Sequence, residues 1–141
     1  MIGRRSVAPE EAPDTTAGPA RVDRRTKELT KRLRVGDVAI VDHEDLDRVA
    51  VRCLIDGGVR AVVNAAKSLS GRYPNEGPLL LAAAGIPLVD GVGSRVLELV
   101  REGDRVSING SDVCVDGRVV ATGVSQNLAS LARDYEAAKA T

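Results

Sequence analysis

The chain has almost no aromatic residues, and this shortage limits both how its core is built and what it binds. Tyr73 and Tyr135 are the only aromatic side chains among 141 residues, and Phe and Trp are absent. The core must therefore be built from Val, Leu, Ile and Ala, and this length suits one ordinary domain. Platforms of aromatic side chains on which nucleic-acid bases stack are excluded as well.

The chain also has no excess of positive or negative charge, and it has no long apolar run. It carries 20 basic and 20 acidic residues, so no global field recruits nucleic acid or an anionic membrane. No run approaches the roughly 18 apolar residues that span a bilayer, and no apolar signal segment follows the first arginines. We therefore expect a cytoplasmic segment with no membrane span and no nucleic-acid partner.

Residues that bind metals or carry redox chemistry are equally scarce. Cys53 and Cys114 lack CxxC spacing and a neighbouring histidine, which predicts two buried thiols of a cytosolic protein. His43 is the only histidine and lies in "VDHEDLD", residues 41–47. A metal would have to take its ligands from this one segment, whereas acids in a first helical turn are explained by the helix dipole. We therefore predict no metal site.

The composition divides the chain into four segments. Residues 1–20 hold Pro, Ala, Thr and acids without periodicity, which predicts a flexible tail. Residues 21–34 predict a basic amphipathic helix, which either contacts a partner or membrane surface or docks with its basic face in solvent. Residues 36–124 carry the globular domain. Residues 126–141 predict a further helix with no stop signal, so we expect the native chain to continue into another domain.

Strands alternate with helices in the first part of the globular domain. The apolar runs at 38–42, 59–65 and 86–90 predict buried strands. A helical stripe follows the first strand, and "LLLAAAG" at 79–85 predicts a helix before the third. The first stripe comprises Leu46, Val49, Ala50, Cys53 and Leu54. This alternation predicts a parallel sheet within an α/β domain.

The pattern changes after a further helix near residues 96–100. "DRVSINGSDVCVDGRVVATG" alternates with period two and contains "NGSD" and "DG", which are favoured in tight hairpin turns. Three successive antiparallel strands are therefore predicted.

The stretch "SGRYPNEGP", residues 70–78, resembles an active-site loop. Gly71 permits a close backbone approach, and Lys67 and Arg72 could hold a phosphate near the following helix. Ser68 and Ser70 have no histidine neighbour, so we predict no catalytic residue. A rigid connection restricted by its two prolines is the alternative. The candidate ligand-binding or partner-binding residues are Asn64, Lys67, Ser70, Gly71, Arg72, Tyr73, Asn75 and Glu76.

The order of these motifs resembles the swivelling mobile domain of phosphoenolpyruvate-utilising enzymes. That family has a "GGRTSH" loop before a helix ending in "GIP", and Gly71-Arg72 and the "GIP" at 85–87 match these anchors. The family's phosphorylated histidine would fall at or beside Asn75, where it is missing, and this loop is one residue longer. The resemblance implies a three-layer β/β/α swivelling-type fold, flanked by amphipathic helices and without phosphotransfer chemistry.

Longer motifs resemble the N-terminal region of SteA-like cytokinetic ring proteins of actinobacteria. They are "RVDRRTKELTKRL", "GDVAIVDHEDLDRVA", "AVVNAAKSLSGRYPNEGPLLLAAAGIPLVD" and "REGDRVSING". In that family a region similar to thiamine pyrophosphokinase follows, the parent is membrane-anchored near its C-terminus, and it acts with SteB in cell division and envelope integrity. The resemblance implies a non-catalytic module that binds a SteB-like partner or positions the neighbouring domain.

Two further readings follow from the same features. In the first, the 67–78 loop contributes phosphate or nucleotide ligands to a thiamine pyrophosphokinase-like enzyme, although we expect no cofactor in this segment and ATP with Mg only in the parent protein. In the second, the two terminal amphipathic helices pair between chains and form a homodimer, rather than folding back on their own core.

Overall fold

The computed structural model describes residues 15–140, which form a mixed α/β fold with one eight-stranded sheet and five helices. The strands are β1 (Thr16–Val22), β2 (Val38–Val41), β3 (Ala61–Asn64), β4 (Leu88–Asp90), β5 (Arg105–Asn109), β6 (Asp112–Val115), β7 (Arg118–Thr122) and β8 (Val124–Gln126). The helices are α1 (Thr26–Thr30), α2 (Arg48–Asp56), α3 (Gly77–Ala83), α4 (Val96–Leu99) and α5 (Leu128–Lys139). Across the sheet the strand order is β7-β6-β5-β1-β2-β3-β4-β8.

Strand β1 joins a parallel half of the sheet to an antiparallel half. Its residues 16–19 pair antiparallel with β5, and residues 20–22 pair parallel with β2. The parallel order continues through β3 and β4, while β5, β6 and β7 form an antiparallel meander. The predicted parallel strands and the three predicted antiparallel strands are both confirmed. Strand β8, antiparallel to β4, was not predicted.

Alternating side chains of the parallel strands supply two separate apolar clusters. In β2, Val38 and Ile40 belong to one cluster, and Ala39 and Val41 belong to the other, as the two-residue period of a strand requires. The first cluster includes residues of the antiparallel meander and of α4: Val96, Val106, Ile108 and Val113. The second cluster includes residues of α1, α2 and α3: Leu29, Val51, Leu54 and Leu81. Helices α1 to α3 therefore cover one face of the parallel strands.

The predictions for the first two segments are wrong in part. Residues 16–20, predicted as tail, lie in β1, where ladder hydrogen bonds to two neighbouring strands and full burial of Ala20 order the backbone. Residues 1–14 of the predicted tail lie outside the described residues. The helix predicted over 21–34 extends only over Thr26–Thr30. Val22 is the last residue of β1, so the range predicted as one helix contains the end of a strand and a separate short helix.

The predicted buried stripe of α2 is also wrong in part. Val49 is 75% exposed and Cys53 is exposed, whereas Val51 and Leu54 are fully buried. Leu46 is buried as well, but it precedes the helix. Of the predicted stripe, Leu46, Ala50 and Leu54 face the core, while Val49 and Cys53 lie outside its edge. The burial predicted for Cys114 is confirmed.

The last helix begins later than predicted. Residue 126 belongs to β8, and α5 starts after a capping box in which Asn127 and Ser130 bond each other's backbone amides. Leu131 and Ala138 are buried against the domain. Within residues 15–140, no helix combines the length and the apolar character needed to cross a membrane.

Candidate functional site

The candidate residues gather where the parallel strands β2, β3 and β4 end. This edge holds His43 after β2, Asn64 at the end of β3, and Asp90 at the end of β4. The loop from residue 65 to residue 76 returns across the same edge before α3 begins. Open parallel sheets commonly bind ligands at this edge, so the position alone agrees with a binding site.

Asn64 connects two neighbouring strand ends and has no spare hydrogen-bonding capacity. It is fully buried, and its side-chain oxygen accepts from the backbone amides of His43 and Ala66, each at 3.0 Å. Its side-chain nitrogen donates to the His43 carbonyl at 2.9 Å and to the Ser68 hydroxyl at 2.7 Å. An amide side chain has two donors and two acceptor sites. Asn64 is therefore a structural residue, and it is not available to a partner on the described surface.

Asp90 fixes the start of the loop through hydrogen bonds with Ser68. The carboxylate is buried and accepts from the Ser68 backbone amide at 3.0 and 3.1 Å and from the Ser68 hydroxyl at 2.7 Å. Burial raises the pKa of Asp90, and the hydrogen bonds from Ser68 and Gln126 oppose that rise. The sequence analysis missed Asp90 as part of this network, although an aspartate at the end of a buried strand was a usable signal.

Asp45 holds the middle of the loop. It adopts the left-handed backbone conformation, with φ of 56°, and its carboxylate accepts from the Ser70 backbone amide at 2.9 Å and the Ser70 hydroxyl at 2.8 Å. The Arg72 guanidinium lies 3.0 Å from a Glu44 carboxylate oxygen and 3.6 Å from one of Asp45. Gly71 lies between these contacts, with φ of 93°, a conformation that favours glycine. Arg72 therefore faces two carboxylates of its own chain, which would compete with any bound anion.

Asn75 occupies the place that the resemblance assigns to a phosphorylated histidine, and it is buried. Its side-chain nitrogen donates to the carbonyls of Leu46 and Ser68 at 3.1 and 3.3 Å, and its oxygen accepts from the Gly77 amide at 3.0 Å. A Cβ atom at Gly77 would lie 2.7 Å from the carbonyl carbon of Asp47. The end of the loop is thus held tightly against the segment before α2, and Asn75 is not exposed to a partner.

The remaining candidates lie on the outside of the loop. Lys67 is exposed, and Tyr73 is 45% exposed. Partial burial, followed by the charges of Asp45 and Asp47, raises the pKa of Tyr73. Glu76 lies 3.4 Å from Arg48 and accepts a 3.4 Å hydrogen bond from the Tyr135 hydroxyl.

Both aromatic side chains of the chain share one groove. Tyr73 and Tyr135 line a groove of about 430 Å³ together with Pro74, Val49 and Glu76. Neither tyrosine belongs to the apolar clusters of the core. Among the predicted site residues, Lys67, Arg72, Tyr73 and Glu76 are exposed, whereas Asn64 and Asn75 are buried.

The histidine of the "VDHEDLD" segment is held by its neighbours. His43 Nδ1 shares a 2.8 Å hydrogen bond with the Thr26 hydroxyl, and Asp47 accepts from the Ala50 amide as the N-cap of α2. Asp42 lies 3.3 Å from Arg24. Among residues 15–140, no group of three or more His, Cys, Asp or Glu side chains could hold a metal ion.

Comparison with known proteins finds a solved structure with a similar fold. No protein-family model matches the chain, and no curated protein matches it. One similar solved structure is 3-isopropylmalate dehydratase (leuD) from Methanocaldococcus jannaschii, with a TM-score of 0.50 and 11% identity over 89% of this chain and 98% of that chain.

A second solved structure is less similar. It is an uncharacterised protein from Pseudomonas syringae pv. tomato, with a TM-score of 0.34 and 12% identity over 94% of this chain and 70% of that chain. This second likeness carries no argument. The first shows an α/β fold held in common, at an identity too low to transfer any activity.

Proposed function

We propose that the chain is a non-catalytic N-terminal module of a SteA-like protein of cell division and the cell envelope. In this proposal it binds a protein partner or positions the neighbouring domain. The long motifs around "VDHEDLDRVA" and "SGRYPNEGP" support the proposal, because they resemble that family over most of the chain after residue 20. The parent protein would be anchored at the division septum, with this module on the cytoplasmic side.

The main support for a non-catalytic role is that the polar side chains of the loop bond to other parts of the same chain. Asn64, Ser68 and Asn75 are buried and bonded to their own chain, and Arg72 is paired with Glu44 and Asp45. An active site needs groups aimed at a place where a reacting atom can sit. Here the same side chains connect one segment of the fold to another.

The fold assignment within this proposal is the swivelling type. Two observations support it: the antiparallel meander shares one apolar cluster with the parallel strands, and helices α1 to α3 share the other. The first structural likeness extends over nearly the whole chain. A domain of this kind could move as a unit relative to a neighbouring domain and position it.

The partner in this proposal is a SteB-like division protein. Pairing of terminal helices between two copies is a weaker alternative, because Leu29 of α1 and Leu131 of α5 are fully buried within their own chain. The apolar surface that these helices offer a second copy is correspondingly reduced.

Affinity capture from an actinobacterial lysate tests the proposal. The chain and the longer SteA-like protein are each immobilised, and bound proteins are quantified by mass spectrometry. We expect both baits to enrich a SteB-like division protein. Enrichment by the longer protein alone would contradict a partner-binding role for this module.

A ligand titration tests the competing enzyme interpretation. Millimolar ATP with Mg²⁺, and separately pyrophosphate, are added to the chain while its melting temperature is measured. A ligand that binds the folded state raises that temperature by mass action. We expect no shift, because Arg72 is already paired; a shift that Lys67→Ala abolishes would support a nucleotide site in the 67–78 loop.

A further inference from the structure

The outer side of α2 carries exposed apolar side chains beside arginines. Val49 is 75% exposed, and Cys53, one turn later, is exposed as well. Arg48 and Arg52 have the same spacing and form an adjacent exposed row. The inner side of α2 is also apolar and lies in the core. The described residues cover only the inner side of α2, so Val49 and Cys53 stay exposed on its outer side.

Besides the groove of Tyr73 and Tyr135, which Val49 also lines, two grooves meet on this outer side. One, of about 420 Å³, is lined by Arg48, Val49, Arg52 and Cys53. The other, of about 330 Å³, shares Val49 and Cys53 and extends to Lys27 of α1. We call the five residues Lys27, Arg48, Val49, Arg52 and Cys53 the Val49 surface. It has an apolar centre and a charged rim, which is the usual arrangement of a protein interface.

The rim is predominantly positive. Lys27 and Arg52 make no ion pair with another residue in the range 15–140, and Arg48 has only a 3.4 Å contact with Glu76. Asp47 is the only acidic residue lining either groove, and its carboxylate already accepts from the Ala50 amide at 2.9 Å. Charge complementarity therefore favours a partner whose contact surface is acidic.

We propose that the Val49 surface binds an acidic amphipathic helix of a partner protein. The apolar stripe of that helix would cover Val49 and Cys53, and its flanking Asp or Glu side chains would face Lys27, Arg48 and Arg52. Helix-in-groove recognition fits because the grooves lie on and between helices, whereas addition of a strand requires an open sheet edge. The inference rests on the proposed function in one respect: the proposed function requires a protein partner, and the Val49 surface would bind it.

Site-specific photo-crosslinking in the organism that encodes the protein tests this inference. A photoreactive amino acid replaces Val49 in one strain and Val119 in a second strain. Val119 is a matched control, since it is 56% exposed and lies in β7. The crosslinked segments are sequenced by mass spectrometry. We expect position 49 to capture an acidic, apolar-periodic helical segment and position 119 not to capture it.

The outcomes separate this inference from the proposed function. Capture at position 49 of a basic segment, of an extended strand or of a second copy of this chain would overturn the inference. So would capture of a division protein at position 119 with none at position 49, which would still leave the proposed function standing. An acidic helix captured at position 49 from a protein outside cell division would support the surface and contradict the function.

Designed peptides add a test in solution. One 18-residue peptide carries leucines at helical i, i+3, i+4 and i+7 spacing flanked by glutamates, and its counterpart carries lysines instead. We expect the full chain to bind the acidic peptide at least about tenfold more tightly, a difference of about 1.4 kcal/mol. The double variant Lys27→Glu and Arg52→Glu should reverse this preference, as measured by fluorescence anisotropy, while the same reversal at Arg118 should not. Equal binding of both peptides would contradict the charge argument.

Discussion

Two regions differ in whether their polar groups face the fold or solvent: segment 64–78, which runs from the end of β3 through the candidate loop into α3, and the Val49 surface. The loop is rich in residues typical of active sites, yet Asn64, Ser68 and Asn75 are buried and bonded to their own chain. At the centre of the Val49 surface, Val49 and Cys53 fit the apolar pattern of a core helix, yet both face solvent. Residue type alone therefore does not show whether a side chain stabilises the fold or can bind a partner. Burial and hydrogen bonding within the chain decide this.

The largest expected effect is a loss of stability when the Asp90 carboxylate is removed. Asp90→Ala leaves the buried amide and hydroxyl of Ser68 without an acceptor, and each such loss costs about 1–3 kcal/mol. We expect the free energy of unfolding, measured with urea, to fall by about 3 kcal/mol. The exposed Asp134→Ala is the matched control and should change it by less than about 0.5 kcal/mol. Equal effects would show that Asp90 does not support the loop.

A somewhat smaller loss is expected where the loop meets α3. Asn75→Ala removes the acceptor for the Gly77 amide and a donor to the Leu46 carbonyl. Because these groups are buried, we expect the free energy of unfolding to fall by about 2 kcal/mol. Lys67→Ala in the same loop is exposed and should have little effect. If Asn75→Ala is neutral in stability but abolishes partner capture, the loop is a binding site after all.

The pH dependence of stability should reveal the buried carboxyl. Burial raises the pKa of Asp90 above its ordinary value of 3.8. Its contribution is therefore fully present below that value and is lost as pH rises through the folded-state pKa. Relative to Asp90→Asn, which cannot titrate, the wild-type protein should lose stability as pH rises from about 3.8. Urea unfolding of both proteins from pH 3 to 7 measures this difference, and a difference that stays constant or grows would contradict the assignment.

The smallest effects on stability are expected at the exposed positions of both regions. The side chain of Arg72 is 69% exposed, and surface ion pairs contribute about 0–1 kcal/mol. Arg72→Ala should therefore lower the free energy of unfolding by less than about 1 kcal/mol. Val49→Asp should change it by less than about 0.5 kcal/mol, because the position is exposed and an acid suits the first turn of a helix. Thermal unfolding distinguishes these changes from the larger ones above.

Much of the fold could be predicted from local patterns. The apolar runs at 38–42, 59–65 and 86–90 each contain a buried parallel strand, and the alternating segment with its "NGSD" and "DG" turns forms the antiparallel meander. Strand β1 could not be recognised, because "TAGPARV" has no alternation and its order depends on pairing with β2 and β5, which lie far away in sequence. Local composition does not contain that information.

The candidate site was less predictable than the fold. The sequence predicts a loop between a strand and a helix that holds Ser70, Arg72 and Asn75, and the structure has this loop between β3 and α3. It cannot show that Asp45 and Asp90, from two other segments, already use the loop's donors. Nor could the sequence show that Val49 and Cys53 are exposed, because on the helix surface they border the core-facing positions Ala50 and Leu54.

Partner capture by two single variants tests whether the partner binds the Val49 surface or the candidate loop. Arg72→Ala changes the loop residue with the most exposed charge, and Val49→Asp changes the centre of the Val49 surface. With folding verified by circular dichroism, we expect Arg72→Ala to retain the proposed SteB-like partner and Val49→Asp to lose at least about nine-tenths of it, a loss of about 1.4 kcal/mol or more. Loss of the partner with Arg72→Ala and full retention with Val49→Asp would place partner binding on the loop and overturn the proposed role of the Val49 surface.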